Sequence, residues 1–238
     1  NGRGGGQGYG MGPGADMAHL NAQRDPKMDP TSERRFSLRK RIVEAGDERP
    51  SVLEDGILAL ADDLVHSIVE DSDFILETIM KCVRKLGSKV AVYGVLVGLI
   101  NTEVPEFGKA AVNLAHAGLE DAARDDDAVA VKLLLRFCAE LANSGVLYMS
   151  GLVGVLNDFA VVMDDSAAHQ LKRDTAALAI MSTLPWCGAR LRADKKDDLE
   201  DLVAVIKVYM TRRPAVSALL SGTLPIMQPL PASEGPLD

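Results

Sequence analysis

The residues of this 238-residue chain that could do chemistry are four histidines, three cysteines and several carboxylate runs. His19, His66, His116 and His169 form no His-x-x-x-His pair, so a zinc site would need ligands converging from distant positions. They read as solvated or hydrogen-bonded structural histidines. Cys82, Cys138 and Cys187 each lie in or beside an apolar segment, and no two are close enough for a metal knuckle. An odd count of such thiols reads as reduced, buried cysteine in an intracellular protein. Asp125–Asp126–Asp127 could suggest a metal site, but three carboxylates before an apolar helix read as a loop and an N-terminal cap, where negative charge suits the helix dipole. Gly151 and Gly154 sit in an apolar helix and read as close helix packing rather than a phosphate cradle. There is no Gly-x-Ser-x-Gly, P-loop or dinucleotide fingerprint. These residues assign no catalytic, cofactor-binding or metal site, and nothing in them argues for an enzyme.

Two features could instead meet a partner. Arg34, Arg35, Arg39, Lys40 and Arg41 form a short basic cluster. It reads either as a nuclear-import signal or as a solvated flank before the first helix. Ser37 follows Arg35 by two residues, which suits a basophilic kinase and makes it a possible phosphosite. Trp186 is the only tryptophan. Between Pro185 and Cys187 it reads as a core residue at a helix break, with an exposed partner anchor as the alternative.

The elements around these residues are helical. Ser51 and Glu54 after Pro50 make a capping box. Leu53, Ile57, Leu60, Leu64 and Ile68 then share one helix face. Asp71–Ser72–Asp73 breaks that helix, and Ile75, Ile79, Cys82 and Leu86 form a second, ended by Gly87. Val90 to Ile100 is wholly apolar, ambiguous locally between strand and helix, and far short of the roughly 20 residues a membrane span needs. Ser88 can cap it as a third helix to about Thr102, with Gly94 and Gly98 on one face to admit a close neighbour. A fourth starts at Pro105 and a fifth carries Ala130, Leu134, Phe137 and Leu141. A sixth spans Met149 to Met163, a seventh runs from about Ala167 to Leu184 where Pro185 kinks or ends it, and the last ends near Arg212. Short connections force antiparallel neighbours. The fold class expected is all-α: a HEAT-like array of antiparallel helical hairpins, about eight helices, with the third and fifth in the inner layer.

Composition agrees. The chain is 47% hydrophobic but only 4% aromatic, so aliphatic side chains and alanine must fill the core. Residues 1–50 hold nine Lys/Arg against seven Asp/Glu, whereas the rest holds 17 against 27. An acidic body is a poor phosphate binder, so protein partners are expected for it. Residues 1–50 read as a disordered Gly-rich tail with the basic cluster, 51–213 as the helical domain, and 214–238 as a Pro-containing linker or truncated tail. No signal peptide or transmembrane segment is visible, and an opening Asn1 rather than Met reads as a fragment or processed product.

Three blocks then carry a family resemblance: Val92 to Asn101, Ala128 to Asn143, and Ser182–Thr183–Leu184–Pro185–Trp186–Cys187–Gly188. In order and spacing they resemble the MIF4G domains, specifically the first such domain of the large subunit of the nuclear cap-binding complex, over about Val52 to Arg213. The resemblance implies a non-enzymatic scaffold, nuclear and shuttling to the cytoplasm. It would support RNA cap binding by a small RRM-type subunit and recruit mRNA processing, export and decay factors. No cap-binding residue transfers to this chain, capped RNA being met only indirectly. The family's large subunit has an N-terminal import signal, so importin is an implied partner of the basic cluster. No cofactor and no membrane are implied, and the partner-binding surface stays unknown.

Two other readings remain. One is a MIF4G scaffold of translation initiation or nonsense-mediated decay that binds a DEAD-box helicase; the Leu-Pro-Trp block argues against it. The other is RNA binding through the N-terminal tail, whose first twenty residues hold a single Arg and a single Tyr.

Overall fold

The computed structural model describes residues 29–213. They form eight α-helices: α1 (Pro30–Glu44), α2 (Pro50–Lys85), α3 (Val90–Glu103), α4 (Pro105–Arg124), α5 (Ala128–Asn143), α6 (Met149–Asp164), α7 (Gln170–Asp194) and α8 (Lys196–Arg212). Among the described residues there is no strand, and a short 3₁₀ turn, Gly87–Lys89, joins α2 to α3. The all-α array expected from the sequence is what forms. Helices α3, α5 and α7 pack side by side as an inner layer, while α2, α4, α6 and α8 lie outside it and α1 covers α2.

Inner-layer spacing follows from two residues without side chains. A Cβ at Gly94 would overlap Glu140 Cβ, and one at Gly98 would come 2.6 Å from Ser144 Cβ. α3 therefore approaches α5 more closely than any larger residue at those positions permits. The face so buried is continuous: Val90, Tyr93, Leu96, Val97 and Ile100 are all 0% exposed. The Tyr93 hydroxyl donates to Ile42 O at 3.3 Å, which satisfies the one polar atom of a fully buried ring and ties α3 to α1.

The number of helices agrees with the sequence reading but their division does not. Residues 30–44, placed by the sequence in a disordered tail, form α1. Asp29 caps it by accepting from Thr31 N at 2.9 Å, Pro30 takes the first turn, and Leu38 and Ile42 are buried. The break expected at Asp71 is present as a kink: Asp71 is non-helical (φ −129°, ψ 22°) and divides α2 into two helical stretches joined without a loop. The Ser51 capping box does not form, because the helix starts a residue earlier on Pro50 with Arg49 at the cap position and no side-chain cap. Ser88 likewise caps nothing: it sits in the 3₁₀ turn, and Lys89 precedes α3. Asp127 does cap α5, accepting from Ala130 N at 3.0 Å.

α7 also runs past Pro185 to Asp194. Proline removes the hydrogen bond to the carbonyl one turn back, at Met181. Pro185 and Met181 are both exposed, so water can take that carbonyl. Gly151 and Gly154 do not mediate close packing: a Cβ at Gly154 would meet nothing within 4 Å, and one at Gly151 only Leu147 of the preceding loop.

The far end of the array is fastened by a part-buried polar group. Asp174 of α7 accepts from Arg213 Nε at 2.6 Å and Nη2 at 2.8 Å, from Tyr209 Oη at 2.6 Å, and from Gln170 Nε2 at 3.0 Å. The Arg213 guanidinium, helped by Tyr209 and Gln170, holds the Asp174 carboxyl at about 2, well below its ordinary value. A depressed folded value means the stabilisation is complete above the unfolded pKa near 3.8 and is lost as pH falls through about 2.

Two outcomes are expected in urea unfolding. Gly94→Ala gains helix propensity yet destabilises by about 2 kcal/mol through overpacking, while Gly154→Ala, in open space, stabilises by about 0.5–1 kcal/mol. Asp174→Asn lowers stability at pH 7 by about 1 kcal/mol after allowance for solvent screening, and its difference from the parent shrinks between about pH 4 and pH 2.

Candidate interaction surface

The five basic residues singled out in the sequence all lie on α1, and the structure gives most of them a partner on α2. Arg34 pairs with Glu70 and, at 2.7 Å, with Asp71 Oδ2. Arg35 Nε donates to Asp71 Oδ1 at 2.7 Å. The guanidinium carbons of Arg35 and Arg39 lie 5.3 and 5.2 Å from the Phe74 ring centroid, within cation–π range. Arg41 pairs with Asp63, and Lys40 lies 3.9 Å from Glu44 on its own helix.

Asp71 is the centre of this arrangement. Its side chain is 0% exposed, while Arg34 and Arg35 keep 42% and 46% of theirs in solvent. Burying a lone carboxylate is expensive, so two guanidiniums must be present when α1 docks. The non-helical turn at Asp71 lies at this anchor point of α2. Ser37 is exposed on α1, one turn from both Arg34 and Arg41. The cluster was legible as positive charge; its partners, 22 and 36 residues away, were not.

The other feature is Trp186. The preferred expectation of a core residue is corrected: the side chain stays 46% exposed. It lies flat against the protein because the Arg136 guanidinium stacks 3.7 Å from its centroid. Arg136 Nη1 also donates to Gly87 O at 3.2 Å, and Asn143 Nδ2 donates to Trp186 O at 2.9 Å and to Glu140 Oε2 at 3.2 Å. Trp186 thus closes the α5–α7 seam on one side and offers its other side to solvent.

The candidate chemical groups fall into structural roles. His66 Nδ1 contacts Asp62 O at 2.8 Å, His116 is exposed, and His169 caps α7 by accepting from Leu171 N at 3.2 Å. His19 lies outside the described residues. The three cysteines are buried free thiols. Burial pushes Cys138 up to about 12 and Cys187 up to about 11, so both stay protonated and unreactive at neutral pH. No group of His, Cys, Asp or Glu among the described residues could hold a metal ion. No described helix is long and apolar enough to cross a membrane.

Comparison with known proteins fits this arrangement of layers. The MIF4G domain profile matches residues 38–230. The chain belongs to the MIF4G domain family. The matched span starts inside α1 and runs past residue 213. Relatives named nuclear cap-binding protein subunit 1 are similar to it. That of Anopheles gambiae is 28% identical over 172 residues, 72% of this chain and 21% of the relative. That of Aedes aegypti is 26% identical over 198 residues, 83% of this chain and 24% of the relative. The Oryza sativa subsp. japonica protein is 30% identical over 157 residues, 63% of this chain and 18% of the relative. The chain is therefore similar to a MIF4G region of cap-binding large subunits and spans about a fifth to a quarter of their length.

Docking of α1 predicts an asymmetry. Removing both guanidiniums (Arg34→Ala with Arg35→Ala) leaves Asp71 buried and unpaired and destabilises the fold. Adding Asp71→Ala to that pair restores part of the loss, read as a positive coupling in a urea-unfolding cycle.

Proposed function

We propose that this MIF4G region is a non-enzymatic scaffold segment of a nuclear cap-binding large subunit, placed in the nucleus and shuttling to the cytoplasm. The single observation that carries the reading is the similarity to three proteins of that name over 63–83% of this chain. A body of protonated, buried thiols, capping carboxylates and structural histidines supports it, since none of these groups is poised to react. In this reading a small RRM-type subunit holds the RNA cap, and the large subunit brings processing, export and decay factors to it. The acidic body suits protein partners better than RNA.

Import through Arg34 to Arg41 belongs to the same proposal with one condition. Arg34, Arg35, Arg39 and Arg41 hold α1 against α2, so an importin engages the whole cluster only when α1 is undocked. A phosphate on Ser37 would add about two negative charges one turn from Arg34 and Arg41 and would compete with Glu70 and Asp63 for them. RNA binding by the N-terminal tail would use the Gly-rich segment with Arg3, which lies outside the described residues, and the basic cluster, most of whose side chains are engaged on α2.

The test is affinity purification of the full-length parent from nuclear extract. Recovery of an RRM-type cap-binding protein is expected, and recovery of a DEAD-box helicase alone would contradict the assignment. The isolated chain should not be retained on cap-analogue resin. A reporter carrying residues 31–45 alone should enter the nucleus, and a diffuse cytoplasmic signal removes the import role.

A further inference from the structure

The outer layer is interrupted at one place. α2 packs against α4, and α6 against α8, but α4 and α6 make no comparable contact. Between them, floored by α5 and the start of α7, lies a mainly apolar cleft of about 340 Å³ whose lining includes Ala122, Val131, Phe159 and Ala176. A shallower continuation of about 190 Å³ runs on past Leu119 and Val155 and shares Ala123, Phe159 and Val162 with it. From Val155 to Val162 the trough follows two turns of α6, or about 10 Å. That length and apolar floor suit the face of a short helix.

The rim has a sign. Glu120, Asp126 and Asp158 line the two parts, and Asp125, Asp164 and Asp165 are exposed near lining residues in sequence, while Asp121 is paired with the exposed Arg124 at 2.7 Å. The one lysine in the lining is Lys172; the remaining titratable groups are His116, 3.9 Å from Glu120, and His169, whose Nδ1 is occupied in capping α7.

We propose that this cleft docks a partner's short amphipathic helix with an aliphatic face bordered by Lys and Arg. The trough buries the aliphatic face, and the carboxylate rim meets the basic border. Other occupants fit the charge less well. Residues 214–233 of this chain contain no Lys, Arg, Asp or Glu and leave the rim unmet. A second copy would bring its own acidic body against this one. The proposal names the partner chemistry for the scaffold reading, yet it stands on the cleft alone, so its failure leaves the cap-binding assignment untouched.

The test uses the full 238-residue chain and a fluorescent synthetic helix of about 16 residues, with Leu on one face and Lys/Arg flanking it, against a version with Glu in place of Lys/Arg. Anisotropy should show the basic peptide binding at least about tenfold more tightly. Glu120→Lys with Asp158→Lys, both at exposed positions, should weaken it roughly tenfold, whereas Asp197→Lys with Glu200→Lys on α8 should change it less than about twofold. Ala123→Trp, filling the trough, should abolish binding; if that variant does not fold, the rim pair decides. Equal binding of both peptides, equal loss from the α8 pair, or binding that arises only after residues 214–238 are removed would each overturn the proposal.

Discussion

Gly94 and Gly98 set how near α3 can lie to α5, and the rest of the array is arranged around that approach. With no Cβ at these positions, the backbone of α3 rests on Glu140 and Ser144. Helix α5 is then held between α3 on one side and α7 on the other, and Asn143, one residue from the contact at Ser144, reaches across to the Trp186 carbonyl. The three sequence blocks that carry the family resemblance are therefore three sides of one seam. They specify the inner layer of the scaffold, not a site.

Helix faces were legible wherever local periodicity fixed burial. The Leu60, Leu64 and Ile68 stripe and the Leu134, Phe137 and Leu141 face of α5 are buried as their spacing predicts; on α4 Phe107, Ala111 and Gly118 are buried, but Leu114, which the same spacing places with them, stays 38% exposed. The role of Asp127 was legible too, because its cap depends only on the next three residues. What surrounds a break was harder to read. The break at Asp71 was legible and is a kink in α2, but its burial as the ion-pair partner of Arg34 and Arg35 was not. Pro185 read as a kink or a stop, and its exposed position lets the helix pass through.

α1 shows most clearly what a single sequence conceals. Its 15 residues include five arginines and lysines and few buried apolar side chains, so by composition it resembles a solvated flank. Its stability comes from Glu70, Asp71, Asp63 and Phe74, contacts that exist only after α2 has formed. The same limit applied to Trp186, whose neighbour Arg136 lies 50 positions earlier and covers one side of the ring while solvent keeps the other. Functional surface was the least legible part, because clefts and rims are made by helices far apart in the chain.

The α3–α5 seam is the most resistant part of the molecule, and the outer helices depend on it. Native-state hydrogen exchange on the chain tests this directly, because it reports opening free energy element by element. The slowest amides should lie in α3 and α5 and exchange only through global unfolding, with α1 and α8 opening locally at lower free energy. Amides of α3 that exchange as readily as those of α1 or α8 would contradict it.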